Sequence, residues 1–101
     1  MRIAKVIGIA TLNHRINETR PGRYLIAEAF DRTSLAGRSQ RARRAAPMPE
    51  SLVVFDDLGA GVGQIIAVSE GREAAMPFYP DRVCIDAYNA AILDHIEFDD
   101  A

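Results

Sequence analysis

From Arg2 to Leu12 the chain alternates with apolar residues on both sides: Ala4, Val6, Gly8, Ala10 and Leu12 fall on one, Ile3, Ile7 and Ile9 with Lys5 and Thr11 on the other. That is strand chemistry with two apolar faces. Asn13 to Gly22 mixes Asn, Pro, Gly and the charged Arg15, Glu18 and Arg20, a turn signal, and leads into a second strand from Arg23 to Phe30. The two form a long hairpin. Leu52 to Phe55 reads as a third strand and Gln64 to Val68 as a fourth, joined by the glycine-rich run Asp56-Asp57-Leu58-Gly59-Ala60-Gly61-Val62-Gly63. Ser69 is placed to cap a short helix through Ala75, and Pro77 stops its continuation. Val83 to Phe98 is ambiguous: its alanines suit a helix, while Val83, Ile85 and the Ile96-Glu97-Phe98 alternation suit a strand. Five β segments, one short helix and no repeated βαβ alternation predict a mainly β fold, a small antiparallel barrel whose closure removes exposed edges.

A length of 101 residues with 49% hydrophobic content makes one domain able to bury a core, and excludes a disordered tail. The longest apolar stretches, such as Val6 to Ala10, fall far short of the ~20 residues needed to span a membrane as a helix. The opening residues lack the continuous apolar core of a signal peptide. The single cysteine, Cys84, cannot form an internal disulfide, fits a reducing compartment, and between Val83 and Ile85 is expected to be a small buried hydrophobe. A soluble, cytoplasmic domain is expected.

Charge is divided along the chain. Met1 to Pro47 holds ten bases and three acids; Met48 to Ala101 holds two bases, Arg72 and Arg82, and eleven acids. The two halves can neutralise each other within a monomer, or a basic face of one copy can meet an acidic face of the next, which would favour assembly and set its orientation. Between Arg32 and Pro49 there is no acid, and Arg38, Arg41, Arg43 and Arg44 cluster there. A connection of about twenty residues is long for a compact domain and is either mobile or functional.

Few residues assemble into a catalytic pattern. The Gly59 to Gly63 run invites a phosphate-binding reading. A dinucleotide fingerprint, however, needs a third glycine where Gln64 stands and a helix directly afterwards, and Ile65-Ile66-Ala67-Val68 is strand-like. A tight turn with glycines at positive φ is the alternative. Arg38 to Arg44 could contact nucleic-acid phosphates as the arm of an oligonucleotide-fold binder, but no aromatic residue accompanies them for stacking and the net charge is −2. The neighbouring carboxylates Asp56 and Asp57, in extended chain, point to opposite faces and cannot clamp one metal together. His14 and His95 stand alone, and no cysteine–histidine spacing of a zinc site exists. The sequence therefore implies no catalytic, cofactor or metal residues.

The order of these signals resembles a known family. Met1 to Gly8, Tyr24-Leu25-Ile26, Asp57-Leu58-Gly59-Ala60-Gly61-Val62-Gly63, the Ser69 region, and Ile85-Asp86-Ala87 leading to Ile92-Leu93-Asp94 are similar to the bacterial microcompartment vertex proteins, the pentamer-forming shell proteins of carboxysomes and ethanolamine-utilisation compartments. The resemblance covers 1–98, excepting an arginine-rich insertion at about 32–49. It implies a closed, five-stranded, oligonucleotide-fold-like barrel assembled as a cyclic homopentamer, with Ile85 to Ile96 a strand. It implies a non-enzymatic shell role without cofactors, with hexameric shell proteins and enclosed enzymes as further contacts. Gly59, Ala60 and Gly61 are expected to form a tight loop at a subunit contact or near the five-fold axis. Arg38, Arg41, Arg43 and Arg44 are expected at the rim or facing the lumen.

Overall fold

The computed structural model describes residues 1–30 and 51–97. Five strands, β1 (Arg2–Ala10), β2 (Arg23–Ala29), β3 (Ser51–Asp56), β4 (Ile65–Glu70) and β5 (Ala87–Leu93), close into a barrel in the order β1-β2-β3-β5-β4. A single-turn helix α1 (Arg72–Ala75) and a 3-10 turn (Met76–Phe78) follow β4. The closed five-stranded barrel with one short helix agrees with the sequence reading, and the barrel is antiparallel at every seam but one. β3 meets β5 in parallel through Phe55 and Tyr88. The α1 segment and the stretch after it carry the chain back across the barrel before β5 begins, so β5 enters from the same end as β3.

Alternation decides what is inside. Ala4 and Val6 of β1, Leu25 and Ala27 of β2, Val54 of β3, Ile66 and Val68 of β4 and Ala87 of β5 form one buried cluster, with Leu52 and Ile92 packed against it. The small residues among them suit the narrow interior of a five-stranded barrel. Burying each Leu, Ile or Val contributes roughly 1.5–3 kcal/mol. Two bulges bend the wall: β1 carries Ile7 as an extra residue against β2, and β5 carries Ala90 against β4. Such insertions sharpen local twist and help close a barrel.

A second cluster lies outside the wall. Tyr24 and Phe55 alternate with the inward-facing Leu25 and Val54, so their rings stand on the outer face, where they pack with Ala74 and Ile85. Phe78 and Tyr88 complete it, the Phe55 and Phe78 rings meeting edge to face at 5.6 Å between centroids. Arg20 lies over the Phe78 ring at 4.7 Å. The Cys84 amide donates to the Glu18 carbonyl at 2.7 Å, tying this outer cap to the β1–β2 connection.

Three expectations are corrected. Ser69 does not cap the helix: it belongs to β4, and the chain turns at Gly71, whose φ of 69° leaves the strand and whose carbonyl accepts from the Ala74 amide. The pairing of Ser69 with Tyr88 continues the ladder past the point where the hydroxyl suggested a cap. Cys84 is exposed rather than buried, because Ile85 takes the inward position in the cap. β5 spans Ala87–Leu93 rather than Ile85 to Ile96, since Ile85 packs with the outer aromatics. The alanines of β5 form strand because ladders on both sides, with β4 and β3, override their helical preference.

Candidate functional site

The β3–β4 connection, which carries Gly59, Ala60 and Gly61, is organised by a side chain that the sequence offered only as one of two adjacent acids. Asp56 ends β3 pointing inward and is 2% exposed. Its Oδ1 accepts from the Leu58 amide at 3.1 Å and from Asn89 Nδ2 at 2.9 Å. Its Oδ2 accepts from the amides of Gly59 at 3.1 Å and Ala60 at 3.0 Å, and from Arg23 Nη1 at 2.9 Å. One carboxylate thus satisfies three consecutive backbone donors, which forces the chain to wrap around it. Asp57, next along, points outward, and the Tyr88 hydroxyl donates to its carboxylate at 2.8 Å. The two carboxylates face apart, as the alternation predicted.

The wrapped turn has two kinds of residue. Ala60 is fully buried and its methyl joins the barrel cluster, closing one end of the interior. Gly59 and Gly63 have φ of 90° and 95°, backbone that disfavours any side chain, whereas Gly61 lies outside that region. Among the described residues, a Cβ at Gly61 would meet only Gln64 Oε1 at 3.9 Å. Gln64 Oε1 accepts from the Gly61 amide at 2.7 Å, and Gln64 and Gly63 exchange backbone bonds with Val6 of β1 at 2.9 and 2.8 Å. Among the described residues the turn is therefore clamped at its root and uncrowded at Gly59 and Gly61.

The ionisable phenols sit beside this site. Burial pushes the Tyr88 hydroxyl above its ordinary value of 10.0, and its bond to the Asp57 carboxylate raises it further, because the protonated form is the donor. Burial likewise raises Tyr24, whose hydroxyl donates to the Arg20 carbonyl at 2.6 Å, and the nearby Arg15 guanidinium opposes the shift. Asn89 is fully buried, and its Oδ1 has no partner among the described residues. Arg38, Arg41, Arg43 and Arg44 lie outside the described residues.

Asp56 was missed because its role depends on burial. In sequence it is one of a pair of adjacent acids; the usable signal was an Asp followed by a glycine-containing turn, a pattern in which carboxylates accept from amides two to four residues on.

The arrangement offers a shaped backbone surface at the tip of a turn held from within the barrel. A family model described as ethanolamine utilisation protein EutN/carboxysome matches residues 1–94. No curated protein matches the chain. Among solved structures, the GrpN pentameric microcompartment shell protein from Rhodospirillum rubrum is 26% identical, with a TM-score of 0.73 over 97% of this chain and 99% of that one. CcmL of Gloeobacter violaceus is 21% identical, with a TM-score of 0.77 over 99% and 92%. EutN from Escherichia coli is 20% identical, with a TM-score of 0.71 over 97% and 89%. The last two likenesses are of fold. With nearly its whole length matched by the family model and its barrel shared with these proteins, the chain belongs to the EutN/carboxysome family.

Proposed function

We propose that five copies of this chain assemble into a cyclic pentamer that closes the vertices of a polyhedral microcompartment shell in the bacterial cytoplasm. The observation that carries the reading is the full-length agreement in family and fold with a pentameric microcompartment shell protein at 26% identity. The physical argument stands beside it. Flat layers of six-fold units cannot curve shut, so a polyhedral shell needs five-fold units at its corners. A small rigid barrel that presents different faces to its two neighbours meets that need without chemistry. The role is structural and non-enzymatic, the domain covers 1–98, and no cofactor enters it. Hexameric shell proteins contact the outer rim, and enclosed enzymes are further contacts. The arginines at 38, 41, 43 and 44 serve the rim or the lumen side.

Within the pentamer, the uncrowded tip at Gly59 and Gly61 provides the close approach at a subunit contact or near the axis, while Ala60 anchors the tip from inside. Analytical ultracentrifugation tests both levels. Five copies of 11.1 kDa should sediment at about 55.5 kDa, and a monomer or dimer over a broad concentration range overturns the pentamer. Gly61→Val has room in the monomer and should leave a folded barrel that no longer assembles; a full-sized oligomer from that variant removes the glycine tip from the contact.

A further inference from the structure

The glycine turn is not where this chain can hold an anion. The amides of Leu58, Gly59 and Ala60 donate to Asp56, that of Gly61 to Gln64 and that of Gly63 to the Val6 carbonyl, so those donors are spent on the barrel itself. Uncommitted cations stand elsewhere. Between α1 with its 3-10 turn and the return segment that leads to β5 lies an open groove of about 630 Å³. Ala75, Met76, Tyr79 and Val83 supply its apolar surface, with Met76 56% and Tyr79 77% exposed. Arg72 and Arg82 line it as well. They are the only two bases from Ser51 to Glu97, against eight acids, and among the described residues neither guanidinium has a hydrogen-bond or ion-pair partner. Glu73 and Asp81 share the lining without closing an ion pair to either. The walls are set by the fold. The Ala74 amide donates to the Gly71 carbonyl at 3.2 Å, the Tyr79 amide to Met76 at 3.1 Å and the Asp81 amide to Phe78 at 2.8 Å, while Val83 packs on the outer cluster.

We propose that this groove binds a small organic carboxylate with an apolar body, its carboxylate accepting from Arg72 and Arg82 and its body lying against Met76, Val83 and the Tyr79 ring. The volume is that of a small-molecule site with largely preformed walls. Guanidinium donors match a carboxylate in a planar, two-bond geometry. Glu73 and Asp81 bring the formal charge of the lining to zero, which disfavours a dianion such as a phosphate monoester and leaves a single negative charge as the better match. The apolar body is required because covering Met76, Tyr79 and Val83 is the main source of binding energy at so open a site. Every lining residue belongs to one chain, so the site is complete without a neighbour and stands apart from the pentamer reading.

The test uses the full-length chain, isotope-labelled at methionine and valine methyl groups, with hydrocinnamate as the probe. Titration should move the Met76 and Val83 methyl signals saturably and leave Val6 and Val54, inside the barrel, unmoved. Arg72→Gln and Arg82→Gln, both at exposed positions, should each raise the half-saturating concentration about threefold and together about tenfold, with circular dichroism reporting a folded chain. Lys5→Gln, on the barrel wall, should change nothing. Hydrocinnamamide, the same body without the charge, should bind about fivefold more weakly. Acetate, the charge without the body, should not compete. The ligand comparison reads out even where a variant fails to fold. Absence of saturable movement up to about 10 mM overturns the site, as does equal binding by the folded double variant or by the amide. Tighter binding of phenyl phosphate than of hydrocinnamate overturns the carboxylate assignment.

Discussion

The inner and outer clusters of this barrel are held by different means. The inner one is built from aliphatic residues that alternation and closure bring together, and Asp56 and Ala60 seal one end of it. The outer one is built from rings: Tyr24, Phe55 and Tyr88 stand on the wall strands, and Phe78 is laid over them by the segment that follows the single-turn helix. Strand ladders on both sides hold the inner residues, so they cannot leave without opening the barrel. The backbones of Tyr24, Phe55 and Tyr88 share those ladders, but the burial of their rings, and the place of Phe78, depend on a cap fixed by a few backbone bonds, such as Cys84 to Glu18 and Gly71 to Asp86. Burial alone is therefore a poor guide to how strongly a region is held; what matters is how many ladders must break to expose it.

Substitutions can sharpen that contrast, and the largest effect belongs to the seal. Asp56→Ala removes the acceptor for three amides and strands the buried Asn89 amide group, which should cost about 2–5 kcal/mol. Chemical denaturation measures it, and a loss below 1 kcal/mol would mean that the turn is held by its glycines instead. The outer cluster should answer more mildly to Gly22→Ala. A Cβ at that position would stand 2.6 Å from Phe55 Cε2, so the ring must shift, at a cost of about 1–3 kcal/mol. A thermal melt equal to the wild type would show that the cap gives way freely.

The smallest expected change is in a titration. Because burial and Asp57 hold the Tyr88 phenol above 10.0 in the folded chain, its protonated form is favoured by folding, and the corresponding stability is present below pH 10 and lost as pH climbs beyond it. Asp57→Asn removes the second cause and leaves the first. Absorbance titration should then show Tyr88 ionising closer to 10.0 yet still above it, with the alkaline loss of stability shifted accordingly. An unchanged titration would place the Tyr88 hydroxyl elsewhere than on Asp57.

Much of the fold is legible in local chemistry. The two-sided alternation of β1, the turn residues from Asn13 to Gly22 and the glycine run after Asp57 mark strands and breaks through backbone preferences that need no partner. Positive φ at Gly59 and Gly63 is the same kind of information, since it depends on the missing side chain. The misreadings arose where a residue had two locally acceptable roles. Ser69 can cap or pair, Cys84 can be buried or exposed, and the alanines of β5 can coil or extend.

By itself, then, the amino-acid order determined the first four β segments, the tight glycine connection and the unusual apolar character of both sides of β1, because period-two patterning and turn preference are short-range properties. Only the tertiary structure decided that β3 and β5 run parallel, that Asp56 is the hub of the turn, and that the tyrosine and phenylalanine rings gather outside the wall. Each of those depends on groups more than thirty residues apart in the chain, Asp56 on Asn89 and Phe55 on Tyr88, and nothing short of closing the barrel brings them within reach.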